Sequence, residues 1–349
     1  MSGDSMELAE SGGSEFSLWD GESTELPATT SGSLREQEAI QFLASITNFS
    51  TTTEDPIAEL KQGIDTSFLL INSFIIFFLQ GGFAFLEAGS VRSKNTTNIL
   101  IKNILDTLLG CLAFWVCGYM FATSQGTAFI GLDPAFLCLT GLPASHFATW
   151  FWGFVFCATA ATIVSGAMAE RCHMTAYFAY SIVISGLVYP VVAHWAWTEQ
   201  GWLTVNGYTD FAGSGVVHHL GGVCAFTGAV FLGPRIGRFD QAGRPQEIKG
   251  HSVPLVAIGA FVLFFGFFAF NGSTNGKISS WEDVAVVQRS VVNTMIGGAS
   301  GGISTLLIGR GIDPRKWSLL LTVNGTLAGM ISTCAFCNLA APWATVTNY

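Results

Sequence analysis

Charge is scarce in this chain: Asp, Glu, Lys and Arg make up 11% of its 349 residues, against about a quarter in an ordinary soluble domain. That scarcity excludes a cytosolic enzyme. The opening MSGDSMELAESGG has no basic segment followed by an apolar core, so no cleavable leader is expected and insertion rests on the first spanning helix. Disulfide and metal spacing are missing as well. The eight cysteines are scattered through apolar stretches, as at Cys111, Cys117, Cys157 and Cys224, and the nearest pair, Cys334 and Cys337, has no second pair or histidine at ligand spacing. Buried free thiols are the expectation, with no metal site. No nucleophile beside a base and no Gly-rich phosphate loop after a strand is visible, so neither an enzyme nor a bound cofactor is expected. The basic residues are spread through loops as membrane topology requires, which argues against nucleic acid as a partner.

What remains is apolar. Half of the residues are hydrophobic and 40 are glycine, with a mean hydropathy of +0.48, the composition of helices packed closely in lipid. The net charge of -9 is local, because 13 of the 24 acidic residues lie between Asp4 and Asp65. Residues 1–65 are read as an acidic, disordered extracellular tail with one short helix around Leu34 to Ile46. Residues 66–349 are read as the membrane domain. Apolar runs long enough to cross a ~30 Å slab fall at Thr66–Leu86, Leu100–Thr123, Phe147–Ala169, Met174–Trp197, Gly213–Leu232, Val253–Phe270, Ser290–Gly309 and Trp317–Phe336, eight spans in all. A ninth would begin near Leu339. Eleven of the 15 basic residues fall on one side of these spans, and the loops 124–146 and 198–212 hold none, which places the N-terminus outside. Asn48 then becomes a possible glycosylation acceptor.

Ionisable groups inside the slab are costly and each needs a use. Asp106 stands four residues after Lys102, where a helical ion pair accounts for it. Glu87 and Glu170 stand beside Arg92 and Arg171, where local pairing suffices. Asp210 precedes the fifth span at its outer end, where a carboxylate caps free N–H groups, a placement also compatible with attracting a cation. His218 follows eight residues later, roughly 12 Å deeper if the stretch is helical. A midplane imidazole has no cheap structural use. His219 lies about 100° away round the helix, so only one of the two faces a lumen. Trp197 and Phe270 end the fourth and sixth spans on the outer side, and Phe156 lies roughly 13 Å below the start of the third; aromatics so placed are usually interfacial. Composition by itself stops at a polytopic transporter or channel.

More specific are the stretches AGSVRSKNTTNILIKNILDTLLGCLAFWVCGYMFA (Ala88 to Ala122), SGAMAER (Ser165 to Arg171), YPVVAHWAW (Tyr189 to Trp197) and DFAGSGVVHHLGGVCAFTGAVFLGPR (Asp210 to Arg235), with AFNGS at Ala269 to Ser273 and VNT at Val292 to Thr294. From about Thr66 to Ala341 the chain resembles the ammonium transporter family, Amt/Mep/Rh, and its Amt branch in particular. The resemblance implies an all-α, polytopic membrane bundle built as an inverted repeat. It also implies a plasma-membrane homotrimer, each subunit recruiting ammonium outside and moving ammonia and a proton inward through its own hydrophobic pore. By motif position Trp197 resembles the aromatic wall of the recruitment site, which Phe156 also borders, and Phe156 and Phe270 resemble the stacked pair that closes the pore. His218 resembles the first of two pore histidines, and Asp210 the carboxylate that supports recruitment from behind. The recruiting hydroxyl is left between Ser273 and Thr274, because the run Phe270-Asn271-Gly272-Ser273-Thr274 is one residue tighter than the common spacing.

The departure is at the end. The family repeat is five spans plus five and one more, whereas this chain supplies spans one to eight and the start of a ninth, without the tenth span and its histidine. A truncated product or incomplete gene model is therefore expected, open to lipid at one side of the pore. The alternatives are a non-conducting subunit joining full-length homologues in mixed trimers, or a regulator that binds ammonium without moving it.

Overall fold

In the computed structural model the residues described are 55–347, together with Gln37, Ala39 and Gln41. The last three are helical and fall inside the short helix expected in the tail, whereas Asn48 lies outside the described residues. The chain divides into two compact units, Met1–Pro56 and Ile57–Tyr349; everything below concerns the second.

Among the described residues helices make up the architecture, joined by loops with two isolated β-bridges. Helix α1 (Pro56–Phe77) passes through Phe78 into α2 (Leu79–Ser90). Helix α3 (Thr96–Ala113) continues through a wide π turn, Phe114–Gly118, into α4 (Tyr119–Thr123). Helix α5 covers Phe147–Met168. Helix α6 (Met174–Val183) continues through a second π turn, Ile184–Val188, into α7 (Tyr189–Trp197), followed by the short α8 (Trp202–Val205). A third π turn, Ser214–His219, opens α9 (Leu220–Leu232). Helices α10 (Val253–Gly272), α11 (Trp281–Ile312) and α12 (Leu319–Thr333) complete the bundle.

Seven of these rods are long and apolar enough to cross a membrane. The expected eighth, Trp317–Phe336, is shorter than its apolar run: α12 has 15 residues, roughly 22 Å, and the chain turns away at Cys334. The first rod is longer than expected, because residues 56–65 are helical and not tail. Asp65 fastens that extension by accepting from Ile278 N at 2.8 Å, Ser279 N at 2.9 Å and the Ser279 hydroxyl at 2.8 Å.

Glycine lets the rods approach. On α11 a Cβ at Gly301 would stand 2.3 Å from Gly325 O, and one at Gly329 on α12 would stand 2.1 Å from Gly297 O, the close crossing that small residues permit in lipid. Pro190 in α7 offers no N–H, so the carbonyl of Gly186 is left free. The Cys117 thiol donates to it at 3.5 Å, and Cys157 donates to Ser185 O at 3.5 Å. Two of the eight free thiols thus satisfy backbone that the π turn of the fourth span releases.

The polar groups near the basic loops pair differently from the sequence expectation. Lys102 does not bridge to Asp106. Its ammonium donates to Cys172 O at 3.0 Å and lies 5.1 Å from the Tyr177 ring centre, while Asp106 accepts from the Thr162 hydroxyl at 3.1 Å. A helix packed on several sides offers partners on its neighbours that an i,i+4 rule does not see. Glu87 likewise bonds Asn103 at 2.9 Å and Ser165, not Arg92.

Glu170 joins three loops. Its carboxylate accepts from Arg92 Nε at 2.9 Å, Arg92 N at 3.2 Å, Asn95 Nδ2 at 2.5 Å and an Arg235 guanidinium nitrogen at 3.2 Å. Arg171, the expected partner, instead reaches Gly233 O at 2.9 Å. Glu170 holds φ at +63°, a conformation that a non-glycine residue keeps only when its surroundings enforce it. Burial acts against the charged form, but the bonds from Arg92 and Asn95 outweigh it and hold the carboxyl below its ordinary value of 4.5. A depressed folded value means that the stabilisation is present above the unfolded value and drains away as pH falls through the folded one. The melting temperature in detergent is therefore expected to drop on acidification below about pH 4.5. Glu170→Gln should lower it at neutral pH, by on the order of 2 kcal/mol of stability, and flatten the acid limb; an unchanged acid limb would refute the assignment.

Candidate functional site

At the end of the bundle away from the Arg-rich loops, here the distal end, the chain enters the fifth span through an irregular segment. Phe211 N and Ala212 N donate to Ala335 O at 3.1 Å and Cys334 O at 2.7 Å, and the Ser214 hydroxyl donates to Ile331 O at 2.5 Å. Gly213 takes φ of +94°, a conformation that suits glycine. Beyond it four N–H groups point at one carboxylate. Asp210 Oδ1 accepts from Gly213 N and Ser214 N, each at 2.9 Å, and Oδ2 accepts from Gly215 N at 2.8 Å and Val216 N at 2.9 Å. Of the two uses left open for Asp210, the geometry has the cap. Its backbone carbonyl does a second job, accepting from the Trp197 indole N–H at 2.7 Å.

Trp197 lines a cavity of about 660 Å3 at this end, with Trp152 and Thr274 among the other lining residues. Below it the aromatic rings form a continuous line. Phe156 meets Trp197 edge-on at 6.1 Å between centroids and stacks on Phe270 at 4.0 Å and 23°. Both Phe rings are fully buried. Phe270 in turn lies 5.4 Å from the His218 ring, and Phe267 stacks on that ring at 5.5 Å and 24°. The expected residues Phe156, Trp197, His218 and Phe270, on four different spans, are thus brought together.

His218 is buried and its neighbour His219 exposed. Among the described residues neither ring nitrogen of His218 has a hydrogen-bond partner. It is the fifth residue of a helix that begins only at Ser214 and opens as a π turn. Such wide turns are frequent at functional positions. A second cavity, of about 610 Å3, borders His218 and His219 together with Ser214, Ser332 and the apolar Val223 and Phe226. Phe226 is 71% exposed, so this cavity opens sideways through the bundle wall.

The two hydroxyl candidates separate. Thr274 lines the distal cavity while its hydroxyl donates to Phe270 O at 2.8 Å. Ser273 is buried and accepts the Trp152 indole N–H at 3.3 Å. Trp152 is the residue that the sequence reading lacked. Its ring packs 4.3 Å from Phe156 and 6.5 Å from Trp197. The available signal was position, one helical turn before Phe156 on the same face. Phe267, three residues before Phe270, was legible in the same way.

Comparison with known proteins agrees in one direction. The sequence profile described as the Ammonium Transporter Family matches residues 67–347. A Caenorhabditis elegans protein assigned by name to the ammonium transporters is 44% identical over 321 residues, covering 86% of this chain and 59% of the relative. Ammonium transporter 1 member 3 of Solanum lycopersicum is 38% identical, covering 83% of this chain and 66% of its own length. The chain therefore spans about three-fifths to two-thirds of the length of these relatives. A solved structure titled Sensor Amt Protein superposes with a TM-score of 0.77 at 32% identity, over 83% of this chain and 72% of that one. The crystal structure of Saccharomyces cerevisiae Mep2, at 23% identity, covers 81% of this chain and 63% of that one and shares the fold with a TM-score of 0.71.

Proposed function

Because this chain belongs to the ammonium transporter family, we propose that it takes ammonium into the distal cavity beside Trp197 and passes ammonia along the ring stack, with His218 accepting the proton. The observation that carries this reading is the unbroken aromatic line from the cavity to an imidazole with free nitrogens. A cation held over an indole face gains about 2 kcal/mol when both are desolvated. Phe156 and Phe270, at 4.0 Å, leave no room for a hydration shell, and shedding one is expensive for an ion that must keep its charge. Ammonium can lose its charge by giving up a proton; potassium cannot. Neutral imidazole is suited to receive that proton. Thr274, on the cavity wall, is the nearer hydroxyl for recruitment, and Ser273 orients Trp152. Asp210 supports the site through Trp197 without touching the cation.

Uptake of labelled methylammonium by vesicles carrying the purified full chain is the direct test, with ammonium and potassium as competitors. Inhibition by ammonium but not by potassium is expected; equal inhibition by both would refute the selectivity argument. For binding, Trp197→Ala should weaken ammonium by roughly thirtyfold in calorimetric titration, and Trp197→Phe by less. An unchanged Kd in the alanine variant would remove Trp197 from the site.

The sideways opening beside His218 favours a second reading, in which the chain binds ammonium without conducting it, as a regulator or as a non-conducting subunit among longer homologues. Binding without uptake, and suppression of a longer homologue on co-expression in ammonium-uptake-deficient yeast, would support it. Under either reading we place the protein in the plasma membrane as a trimer with the N-terminus outside, an arrangement testable by native mass spectrometry and by epitope accessibility on intact cells.

A further inference from the structure

We propose that Glu199 concentrates cations at the mouth of the distal cavity and so sets its affinity, acting through its charge and not by contact with the bound ion. The proposal rests on the recruitment reading above. Among the described residues lining that cavity, Glu199 alone carries a formal charge; the polar remainder, such as Gln125, Thr198 and Gln200, is neutral. Loops 124–146 and 198–212 contain no Lys or Arg, and Lys277, in the third loop at this end, is exposed and does not line the cavity. Asp210, the other carboxylate close in sequence, is committed to four backbone N–H groups.

The position of Glu199 is fixed from both sides. Thr198 caps the end of α7, its hydroxyl donating to His194 O at 2.7 Å, and Gly201 N closes the turn onto Thr198 O at 3.1 Å. The Gln200 amide donates to Ser124 O at 3.2 Å, and Trp202 N donates to Ala128 O at 3.0 Å, tying the turn to the neighbouring loop. At Gly201 a Cβ would stand 2.3 Å from His194 O, so the turn is held against the helix end by backbone contact. Glu199 is thereby kept two residues beyond Trp197, exposed and among the residues that line the concave cavity. Such a cleft focuses the field of a single charge and raises the local concentration of counter-ions.

Across a wet mouth one unit charge changes affinity by about twofold to threefold, and the change disappears when salt shortens the screening length. The test is calorimetric titration of methylammonium chloride into the full chain in neutral detergent, at low and high ionic strength. Glu199→Gln, Glu199→Lys, Glu199→Asp and Trp197→Ala are compared with the unaltered chain. Glu199→Gln should raise Kd about twofold to threefold at low salt and Glu199→Lys about fivefold to tenfold, both converging on the parent at high salt, while Glu199→Asp stays near the parent. Trp197→Ala should be weak at both salts, since a ring contact is short-ranged. An unchanged Kd in Glu199→Gln and Glu199→Lys, with binding lost in Trp197→Ala, overturns the role of Glu199 and leaves the recruitment site standing. A loss in Glu199→Gln that persists at high salt also overturns it, because that is the mark of a direct contact or a structural fault. Absence of binding by the unaltered chain at either salt overturns both readings.

Discussion

Replacing His218 by alanine is expected to cut proton-coupled uptake of methylammonium by at least a hundredfold, within the range that a positioned acid–base group supplies, while leaving the chain inserted and folded. The ring makes no hydrogen bond among the described residues, so its removal leaves no polar partner stranded. Its contacts are the faces of Phe267 and Phe270, and losing them costs packing without breaking a network. Stability and function should therefore separate. Vesicles loaded with a pH indicator report the proton, labelled methylammonium reports the nitrogen, and size-exclusion chromatography reports the fold. His218→Ala with normal coupled uptake would exclude the imidazole as the proton acceptor. Nitrogen uptake that persists without a proton signal would instead mean that the ring carries the proton inward and is not needed to remove it from ammonium.

The sequence legibility of the bundle followed the physics of each part. Rods were readable because lipid requires long uninterrupted apolar runs, and all seven long spans contain the residues assigned to them, with only Ala169 and Gly213 falling one residue outside. The seventh starts at Trp281, well before Ser290, because the Ser280 hydroxyl caps it by accepting from Asp283 N at 3.1 Å; polar residues in its first turns hid it from a hydropathy reading. The π turns were not readable, since one extra residue per turn leaves apolar composition unchanged. Pairings between spans were equally hidden. Lys102 and Asp106 satisfied a local rule on paper, yet their partners, Cys172 and Thr162, stand on other elements. Glu170 likewise chose Arg92 and Arg235 over the adjacent Arg171. Within the candidate site, the residues singled out by motif lie on four spans and are neighbours in the structure, whereas Trp152 needed the helix face to be followed one turn upward from Phe156.

Asp210→Ala is expected to produce the largest combined loss, about 3 kcal/mol of stability together with most ammonium binding. The alanine strands four N–H groups at the start of the fifth span, and a buried donor left without an acceptor costs more than the bond itself returned. Release of this cap also frees the segment whose carbonyl holds the Trp197 indole at 2.7 Å, so the aromatic wall should lose its fixed orientation. Asp210→Asn sharpens the test. Its amide oxygen can serve one pair of N–H groups, but its NH2 then faces the other pair donor to donor, so it should be nearly as damaging as alanine despite its similar size. Were Asp210 instead a contact for the cation, Asp210→Asn would retain its melting temperature and lose only binding. Thermal unfolding and ammonium titration of the same preparations decide between the two: melting and affinity falling together support the cap, and affinity falling alone refutes it.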